Sequence, residues 1–528
     1  MGSAETIDEA YRRHDGGDSA GALRLLDEEI GQHPDDADLL FARGNVRRES
    51  GDTLAAQMDF EAAVRARPTH AKAHNNLGVI LREQGQVEQA RAAFEQALAH
   101  EPRFGDAAFN LAGLLQAQVK LHEALPWFEQ ATQFKPGFAP AWLHLGQVLV
   151  DIGRLPEAEQ AMRRALALDP DYAGAWNDLG LLLTELNRTS EGVAALERAV
   201  ALMPHSDPFK TNLGLLLMQA GDLGRAWNLY EHRWYAEGQV REAYRYDPAL
   251  EWDGGSLQGK RLRVWWEQGL GDTLCFTRYL PQVAARFHPQ AISLEVQPGL
   301  GALMAHSWPG VEVIEQGASG PPWDVQVPLM SLPARCAISA GTAAAREPYL
   351  APTPQAAAKW RERLAQVPGP RIGICWGAGL WATGIGLERR WRSVDPASFE
   401  QLLGVPGVSF ISLQKGARAE HAQRWARQPG FYDWTADIAD FNDTAALMAG
   451  LDLVITVDTS VTHLAGALGK PTWVLLRFEG GNLWNAGESP SLWYPQFRIF
   501  RQTRQGQWGD VMQRATQALR DYAAKGNA

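Results

Sequence analysis

Apolar, small and polar positions recur with a period of 34 residues through the first 206 residues of the chain. Each unit ends in a proline, has small residues at two fixed places and has an aromatic or large aliphatic residue at a third. This pattern predicts two antiparallel helices per unit, because small residues let helices approach, a large residue fills the space between them and proline ends the second helix. The recurring residues include Pro34, Pro68, Pro102, Pro136, Pro170 and Pro204, the glycines Gly44, Gly78, Gly146, Gly180 and Gly214, and the aromatics Phe60, Phe94 and Phe128.

Six such units run from about Ser3 to Ser206, and a partial seventh runs from Asp207 to about Val240. The seventh unit lacks the final proline, so we expect it to pack on the next domain of the chain. The period and its fixed places resemble the tetratricopeptide repeat, which implies an all-α superhelix with a concave binding surface. We assign residues 1–240 to this region.

One column of that surface is a candidate peptide site. Amide side chains spaced one repeat apart can pair with the backbone of an extended peptide. The sixth place of successive repeats holds Asn76, Asn110, His144, Asp178 and Asn212. This column resembles the asparagine ladder of the O-GlcNAc transferase superhelix, with two of the five rungs changed. The alternative is that these are ordinary polar residues on a solvated helix face.

The pattern changes to alternating short apolar runs and helical segments after a Gly-, Pro- and Asp-rich linker at 241–258. This alternation predicts two doubly wound α/β lobes, at 259–353 and 354–505, followed by an amphipathic helix at 506–528. The predicted strands are Arg261–Trp266, Ala291–Val296, Val311–Ile314 and Asp324–Pro328 in the first lobe, and Arg371–Trp376, Val408–Leu413, Leu453–Val457 and Pro471–Leu476 in the second.

The segment from Leu451 to Leu476 carries the clearest candidate chemistry. A buried strand ends at Asp458, Thr459 and Ser460, and a short helix with His463 in its first turn comes next. Hydroxyl-bearing caps at a helix N-terminus, at the carboxyl edge of a parallel sheet, are typical of an anion site. The alternative is that these residues only cap the helix.

Three segments of the lobes resemble the heptosyltransferase-type family of bacterial lipopolysaccharide assembly. They are GLGD at 269–272, SLQKG at 412–416 and DTSVTHLAGALGKPTWVLL at 458–476. Joined to the repeats, they resemble bacterial protein glycosyltransferases of the flagellin-modifying type. The resemblance implies a GT-B fold of two Rossmann-like lobes and an inverting transfer of sugar from a nucleotide-sugar. One departure is the loop WGAGLWATGIGLERRWRS at 376–393, which is longer than the WxGNP-type loop of these relatives.

The candidate site residues rest on this resemblance and on their chemistry. Asp272, at the end of the GLGD turn, is the candidate general base, with helix capping as its alternative and Glu267 as a second choice. His463 is the second candidate catalytic residue. The donor-binding candidates are Asp458, Thr459, Ser460, His463, Lys415, Gly377, Arg390 and Arg392, with Arg389 as an alternative in the same arginine cluster. Stacking on a base or sugar is a further possibility for Trp265, Trp266, Trp376 and Trp484.

Charge and composition exclude several other classes. Residues 1–240 hold 22 Lys and Arg against 35 Asp and Glu, whereas residues 241–528 hold 28 against 26, so neither part has the basic face of a nucleic-acid binder. The three cysteines, Cys275, Cys336 and Cys375, are far apart, which argues against a zinc site or disulfide framework and favours a reducing cytoplasm. We expect no metal, no cofactor, no signal peptide and no membrane span.

Two other functions remain open from the sequence. The altered loop at 377–392 is compatible with a non-catalytic repeat scaffold whose transferase lobes have degenerated. A lipopolysaccharide-core acceptor is the other alternative, although the acidic repeat region disfavours an anionic lipid. The sequence favours a soluble glycosyltransferase that acts on a protein acceptor held by the repeats.

Overall fold

The computed structural model describes residues 2–235, 247–378, 392–481, 483–484 and 491–526. The chain divides into two compact units, Met1–Leu179 and Gly180–Ala528. The division falls within a helix of the sixth repeat, so the last helices of the repeat region belong to the same unit as both α/β lobes.

The predicted repeats are present as successive pairs of helices. The first unit contains α1 (Ser3–Asp15), α2 (Ser19–Gln32), α3 (Ala37–Glu49), α4 (Thr53–Ala66), α5 (Ala71–Glu83), α6 (Val87–His100), α7 (Gly105–Ala117), α8 (Leu121–Phe134), α9 (Ala139–Asp151), α10 (Leu155–Leu168) and the start of α11 (Ala173–Glu185). The second unit continues with α12 (Thr189–Leu202), α13 (Asp207–Ala220) and α14 (Leu223–Tyr230).

The recurring glycines explain how the two helices of a pair approach each other. A Cβ atom placed on Gly44 would lie 2.6 Å from Cε1 of Phe60, and one placed on Gly78 would lie 2.6 Å from the same atom of Phe94. Both phenylalanine side chains are fully buried. The 34-residue pattern therefore encodes a specific contact, in which a ring of the second helix packs on the bare backbone of the first.

The seventh repeat is shortened and packs on the first lobe, as its missing proline predicts. Its second helix, α14, ends at Tyr230 and continues as a 3₁₀ turn over Glu231–Trp234. Trp227 of α14 contacts Phe276 edge-on at 5.6 Å between ring centroids, and Trp234 contacts Trp265 at 5.4 Å. These aromatic contacts join the end of the repeats to the first sheet.

The first lobe is a parallel sheet of four strands in the order β3-β2-β1-β4. Its strands are β1 (Arg261–Trp265), β2 (Ala291–Val296), β3 (Glu312–Glu315) and β4 (Val325–Pro328). Its helices are α15 (Leu270–Phe276), α16 (Leu280–Phe287), α17 (Gly301–Ser307) and α18 (Leu332–Arg335). The predicted strands agree with those observed to within one residue at each end.

The second lobe is a parallel sheet of six strands in the order β10-β9-β8-β5-β6-β7. The strands are β5 (Arg371–Cys375), β6 (Ser409–Ser412), β7 (Phe431–Tyr432), β8 (Leu453–Val457), β9 (Thr472–Leu476) and β10 (Phe497–Arg501). The helices are α19 (Pro354–Leu364), α20 (Pro396–Leu403), α21 (Phe441–Ala449), α22 (Ser460–Ala467) and α23 (Gly509–Gly526). This strand order is that of a Rossmann-type sheet. Successive strands are added on one side of β5 up to β7, and from β8 onward they are added on its other side, so the order reverses between β5 and β8.

The final helix is part of the second lobe rather than an appendage. Val511 and Met512 of α23 are fully buried, and they belong to one apolar core with Ile455 of β8 and Leu475 of β9. The sequence pattern of α23 therefore reflects its packing against the sheet.

Candidate functional site

The candidate site lies at the carboxyl edge of the second sheet, where the strand order reverses. Strand β5 pairs with β6 on one side and β8 on the other. The chain leaves β5 at Trp376 and leaves β8 at Asp458, so these two exits are neighbours at the same edge. Ligands of open α/β sheets bind in the crevice at such a switch point.

The start of α22 combines helix capping with the predicted anion-site geometry. Thr459 is the N-cap, and its hydroxyl accepts a hydrogen bond from the Val461 N–H at 3.2 Å. Thr462 completes the cap, because its hydroxyl lies 3.3 Å from the Thr459 N–H. Ser460 opens the helix. The capping interpretation is therefore correct for Thr459, and the positive end of the α22 dipole still faces the sheet edge.

His463 is buried within the second lobe, with 5% of its surface exposed. Its Nδ1 lies 3.3 Å from the Tyr494 hydroxyl, and its ring stacks on Trp484 with centroids 5.9 Å apart. Burial lowers the pKa of His463 to about 4, against an opposing effect of the Asp458 carboxylate. The imidazole is thus neutral at neutral pH and can serve as a hydrogen-bonding group rather than as a cation.

Asp458 has a partner that the sequence did not identify. Arg392 Nη2 lies 3.1 Å from Asp458 Oδ2 and donates to the Asp458 carbonyl oxygen at 2.9 Å. Burial opposes ionisation of Asp458, but Arg392 and, to a smaller extent, the His463 ring and the Trp484 indole outweigh it, so the pKa of Asp458 lies below its usual value. Among the described residues, Arg392 is the member of the predicted cluster that reaches this edge. Arg389 and Arg390 lie outside the described residues.

Asp272 occupies the third position of α15 rather than its N-cap, since the helix begins at Leu270 and not near Thr273 as expected. Its Oδ2 accepts from the Gly269 N–H at 2.9 Å. Burial raises the pKa of Asp272 to about 6; the Asp458 carboxylate adds to the rise, whereas the Gly269 N–H and Arg392 oppose it. The carboxylate is thus largely ionised at neutral pH, with a basicity close to what general-base catalysis needs.

Helix α15 of the first lobe packs on α22 of the second, which brings the GLGD turn against the start of α22. A Cβ atom on Gly271 would lie 2.8 Å from His463 Cδ2 and 3.4 Å from the Ser460 Cα. The structure therefore joins the GLGD turn, Ser460, His463 and the Asp458–Arg392 pair, which the sequence predicted only as separate segments.

Glu267, the second choice for the base, is buried in an ion pair. It is 2% exposed and forms an ion pair with Arg233, in which Nη2 lies 2.7 Å from Oε1. The same carboxylate accepts from the Met330 N–H at 3.1 Å. Burial raises the pKa of Glu267 to about 7, and Arg233 opposes that rise.

Gly377 and Lys415, two of the donor-binding candidates, contact neighbouring protein groups in the structure. A Cβ atom on Gly377 would lie 2.2 Å from Cδ of Arg418, so glycine is required for that packing. The Lys415 ammonium donates to the carbonyl oxygens of Thr435, at 3.0 Å, and Ile438, at 2.7 Å. The structure thus pairs Lys415 with the backbone rather than with the residues around His463, because Gly416, with a φ of 78°, turns the chain after β6.

Gln414, adjacent to Lys415, takes the central position after β6. Its Oε1 accepts from the Gly377 N–H at 2.7 Å and its Nε2 donates to the Gly377 carbonyl at 3.1 Å. This buried amide fixes the start of the loop after β5. Its role was not predicted, because a lone glutamine after a strand has no distinctive sequence signal.

Three of the four candidate tryptophans are buried. Trp265 and Trp376 are core residues, the first against Trp234 and the second against Trp425 at 4.8 Å. Trp484 is 1% exposed and stacks on His463, so its ring packs against the imidazole. Trp266 directly follows β1 and is partly buried.

The predicted ladder contains a connected set of amides. Asn76 donates to Asn45 at 2.8 Å, Asn75 donates to Asn76 at 3.1 Å and Asn110 donates to Asn75 at 2.9 Å. The column therefore runs through Asn75 as well as through the two predicted asparagines.

The changed rungs pair with glutamines instead. His144 Nδ1 lies 3.1 Å from Gln116 Oε1, and Asp178 accepts from Gln147 at 2.7 Å. Asn212, on α13, lies in the second unit and is partly buried. The first unit thus presents a column of side-chain amides and their partners, with one acidic member.

Within the described ranges, no group of three or more His, Cys, Asp or Glu residues has the arrangement of a metal site. The helices of those same ranges include none that is both long enough and apolar enough to cross a membrane. The three cysteines are buried free thiols.

Comparison with known proteins gives matches to both regions. Residues 35–203 match the cilia and flagella-associated protein 70 C-terminal domain, a tetratricopeptide-type family. Residues 405–476 match glycosyltransferase family 9 (heptosyltransferase). Protein FlbA of Caulobacter vibrioides is 30% identical over 330 residues, which are 58% of this chain and 54% of that protein. The chain thus spans about half the length of this curated relative.

Solved structures of repeat proteins are similar to parts of the chain. YrrB, described as a TPR protein with an unusual peptide-binding site, is 20% identical with a TM-score of 0.31, over 34% of this chain and 93% of that one. Pseudomonas aeruginosa pilF is 18% identical with a TM-score of 0.36, over 40% and 97%. The helical pairs, the parallel sheets and the two family matches agree: a tetratricopeptide-type repeat region is followed by a parallel α/β region, of which residues 405–476 match glycosyltransferase family 9 (heptosyltransferase).

Proposed function

We propose that this glycosyltransferase moves a sugar from a nucleotide-sugar to a protein acceptor held by the repeats, without a metal and with inversion at the anomeric carbon. The observation that carries the proposal is the packing of the GLGD turn on the start of α22: Gly271 lies against His463 and Ser460, and the next residue, Asp272, interacts electrostatically with Asp458 and Arg392. A candidate base of one lobe thus faces the candidate phosphate-binding residues of the other, as a GT-B cleft requires.

The proposed reaction is a single displacement. The Asp272 carboxylate accepts the proton of the acceptor hydroxyl, whose oxygen forms the new bond to the anomeric carbon. The bond from that carbon to the phosphate oxygen breaks, and its electron pair leaves with the nucleoside diphosphate. One attack from the face opposite the leaving group inverts the anomeric carbon.

Charge that develops on the leaving diphosphate is matched by groups already in place. Arg392, held in position by Asp458, supplies guanidinium donors, and its positive charge is shared between the Asp458 carboxylate and the phosphates. The N–H groups at the start of α22 and the neutral His463 ring supply hydrogen-bond donors. A preorganised donor of this kind contributes about 3–4 kcal/mol of transition-state stabilisation. This set provides the neutralisation that a divalent cation supplies in other glycosyltransferases.

The protein acceptor is supported by the amide column of the repeats. Each amide has two donor hydrogens and an acceptor oxygen with two lone pairs, so the bonds between Asn76, Asn75 and Asn110 leave capacity for a peptide backbone. We propose flagellin or another surface protein as the acceptor, modified in the cytoplasm, where the buried free thiols remain reduced.

The test is a transfer reaction with the purified full-length protein. Candidate surface proteins are incubated with a panel of nucleotide-sugars, and the acceptor mass is measured with the native chain and with Asp272→Asn. A mass increase of one sugar residue, lost in the variant, supports the proposal. Binding of a nucleoside diphosphate without transfer would favour the non-catalytic scaffold. Transfer to lipopolysaccharide core but to no protein would favour the lipid-directed enzyme.

A further inference from the structure

A buried ion pair connects the end of the repeats to the loop that carries the candidate base. Arg233 lies in the 3₁₀ turn after α14 and is 3% exposed, and Glu267 directly follows β1 and Trp266 and is 2% exposed. Arg233 Nη2 lies 2.7 Å from Glu267 Oε1, and Nε lies 3.3 Å from Oε2. The fork of the guanidinium thus meets both carboxylate oxygens.

Arg233 is itself held from several sides. It donates to Ser331 Oγ at 2.8 Å, to Glu231 Oε1 at 2.9 Å and to the Tyr230 carbonyl oxygen at 3.1 Å. Its guanidinium lies 4.4 Å from the Tyr230 ring and 4.6 Å from the Trp234 ring. The Arg233 side chain therefore has little freedom, and its two bonds to Glu267 hold that carboxylate in one position.

Glu267 in turn fixes the backbone that leads into α15. Its carboxylate accepts from the Met330 N–H at 3.1 Å, so it is tied to the end of β4 as well. Gln268 comes next with a φ of 63°, in the left-handed region, and Gly269 then donates to Asp272 at 2.9 Å. A non-glycine residue in this conformation persists where its surroundings hold it.

Stability alone does not explain such a pair. A buried ion pair that is replaced by apolar groups of similar volume often leaves a protein equally or more stable, whereas loss of one partner is costly. Its demonstrated advantage is a defined geometry, because a forked guanidinium and a carboxylate accept few arrangements.

We propose that Arg233 is a positioning residue for Asp272: through Glu267 it sets the turn from Gln268 to Asp272, so the last helical pair is part of the catalytic apparatus. Its effect on the rate rests on the proposed function, whereas its effect on the turn does not. The groups that face Glu267 are Arg233, Glu231 and Asp272.

The test compares the full-length native chain with the double variant Arg233→Met/Glu267→Gln, which leaves neither charge unpaired. Hydrogen–deuterium exchange is followed in peptides that cover residues 266–276, together with the melting temperature and the kinetics of transfer. We expect a melting temperature within about 3 °C of native, exchange at least about fivefold faster, and a kcat at least about tenfold lower with donor KM changed less than about twofold.

A matched control is Arg225→Met/Glu197→Gln, which removes an exposed ion pair of 2.6 Å between α14 and α12. It should change none of these quantities. If the double variant exchanges hydrogen in residues 266–276 at the native rate, or has the native kcat, Arg233 is not a positioning residue. If the double variant melts far below native, Ser331→Ala, which removes a single bond to Arg233, is compared instead. If the native chain transfers no sugar, the proposed function fails, and the exchange measurement still decides the role of Arg233.

Discussion

Gly271 lies directly against the imidazole of His463: a Cβ atom on this glycine would stand 2.8 Å from Cδ2 and 3.6 Å from Nε2 of the histidine. The two residues belong to different lobes, on α15 and α22. Cβ contacts below 3.0 Å are essentially never observed, so any side chain at this position must displace the His463 ring or one of the two helices. The close approach of the candidate base to the candidate phosphate site therefore depends on having no side chain at Gly271.

We predict that Gly271→Ala lowers the stability of the chain by about 1–3 kcal/mol, as overpacking of a close contact does. It should also lower transfer activity, because α15 carries Asp272 away from the cluster at His463. Thermal unfolding and kcat measure the two effects. Gly310→Ala is the matched control, since a Cβ there meets no atom within 4 Å. Native behaviour of both variants would show that the contact has no functional weight.

The base assignment predicts the effect of Asp272→Asn. The amide cannot accept the acceptor proton, so kcat should fall at least about tenfold. Asparagine preserves size and can still accept from the Gly269 N–H, which the carboxylate does at 2.9 Å, so α15 should remain in place. Calorimetry with the nucleoside diphosphate should therefore give native affinity. Turnover equal to the native rate would remove Asp272 as the base.

The raised pKa of Asp272 predicts an acid limb in the pH dependence of transfer. The base acts only when ionised, so below the pKa of about 6 the rate should fall about tenfold per pH unit. The charged groups that act on it include Asp458, whose charge raises the pKa, and Arg392, whose charge lowers it. Glu267 is also near, since the Asp272 charge raises the pKa of Glu267. Arg392→Met should therefore move the limb to higher pH, besides weakening donor binding.

Arg424→Met serves as the control for that shift, because it removes an exposed ion pair with Glu400, at 3.3 Å, elsewhere on the second lobe. Its acid limb should coincide with the native one. A limb that stays in place when Arg392 is replaced would mean that a group other than Asp272 controls the rate.

The sequence predicted the architecture well where the pattern reflects local packing. The glycine–phenylalanine contacts, such as Gly44 on Phe60, recur in every repeat that retains both residues. Because each contact needs the same residue types at the same places, the 34-residue period is visible in the sequence itself. Strands β5, β8 and β9 are buried apolar runs between turn residues. Strand β10 was missed, because its sequence FRIFR contains two arginines and has a partner on one side only.

The candidate site was predicted in part, and the missing part depends on contacts between distant segments. Asp458, Ser460 and His463 come directly after one strand, so their proximity could be inferred. Arg233 and Tyr494 could not, since each acts on a residue more than 30 positions away, Glu267 at 34 and His463 at 31. Lys415 was expected among the donor-binding residues, but its direction depends on the turn at Gly416.

The amide column predicts a separation of acceptor binding from chemistry. Asn76 and Asn110 are partly buried members of the chain of hydrogen bonds through Asn75. We expect Asn76→Ala/Asn110→Ala to raise the KM for a protein acceptor at least about fivefold, the cost of two hydrogen bonds of about 0.5–1.5 kcal/mol each. The kcat and the donor KM should stay within about twofold of native, because neither residue touches the reacting atoms.

A matched control for these asparagines is Gln84→Ala, which removes an exposed side-chain bond to Gln57 of 2.8 Å within the same repeats. It should leave all three constants unchanged. Steady-state kinetics with a full-length protein acceptor and with a short peptide of the same acceptor site measure the contrast. A column that binds an extended chain should matter more for the longer acceptor, since only that chain can reach successive rungs. An equal KM in the asparagine variant and the native chain would assign the column to the stability of the repeats alone.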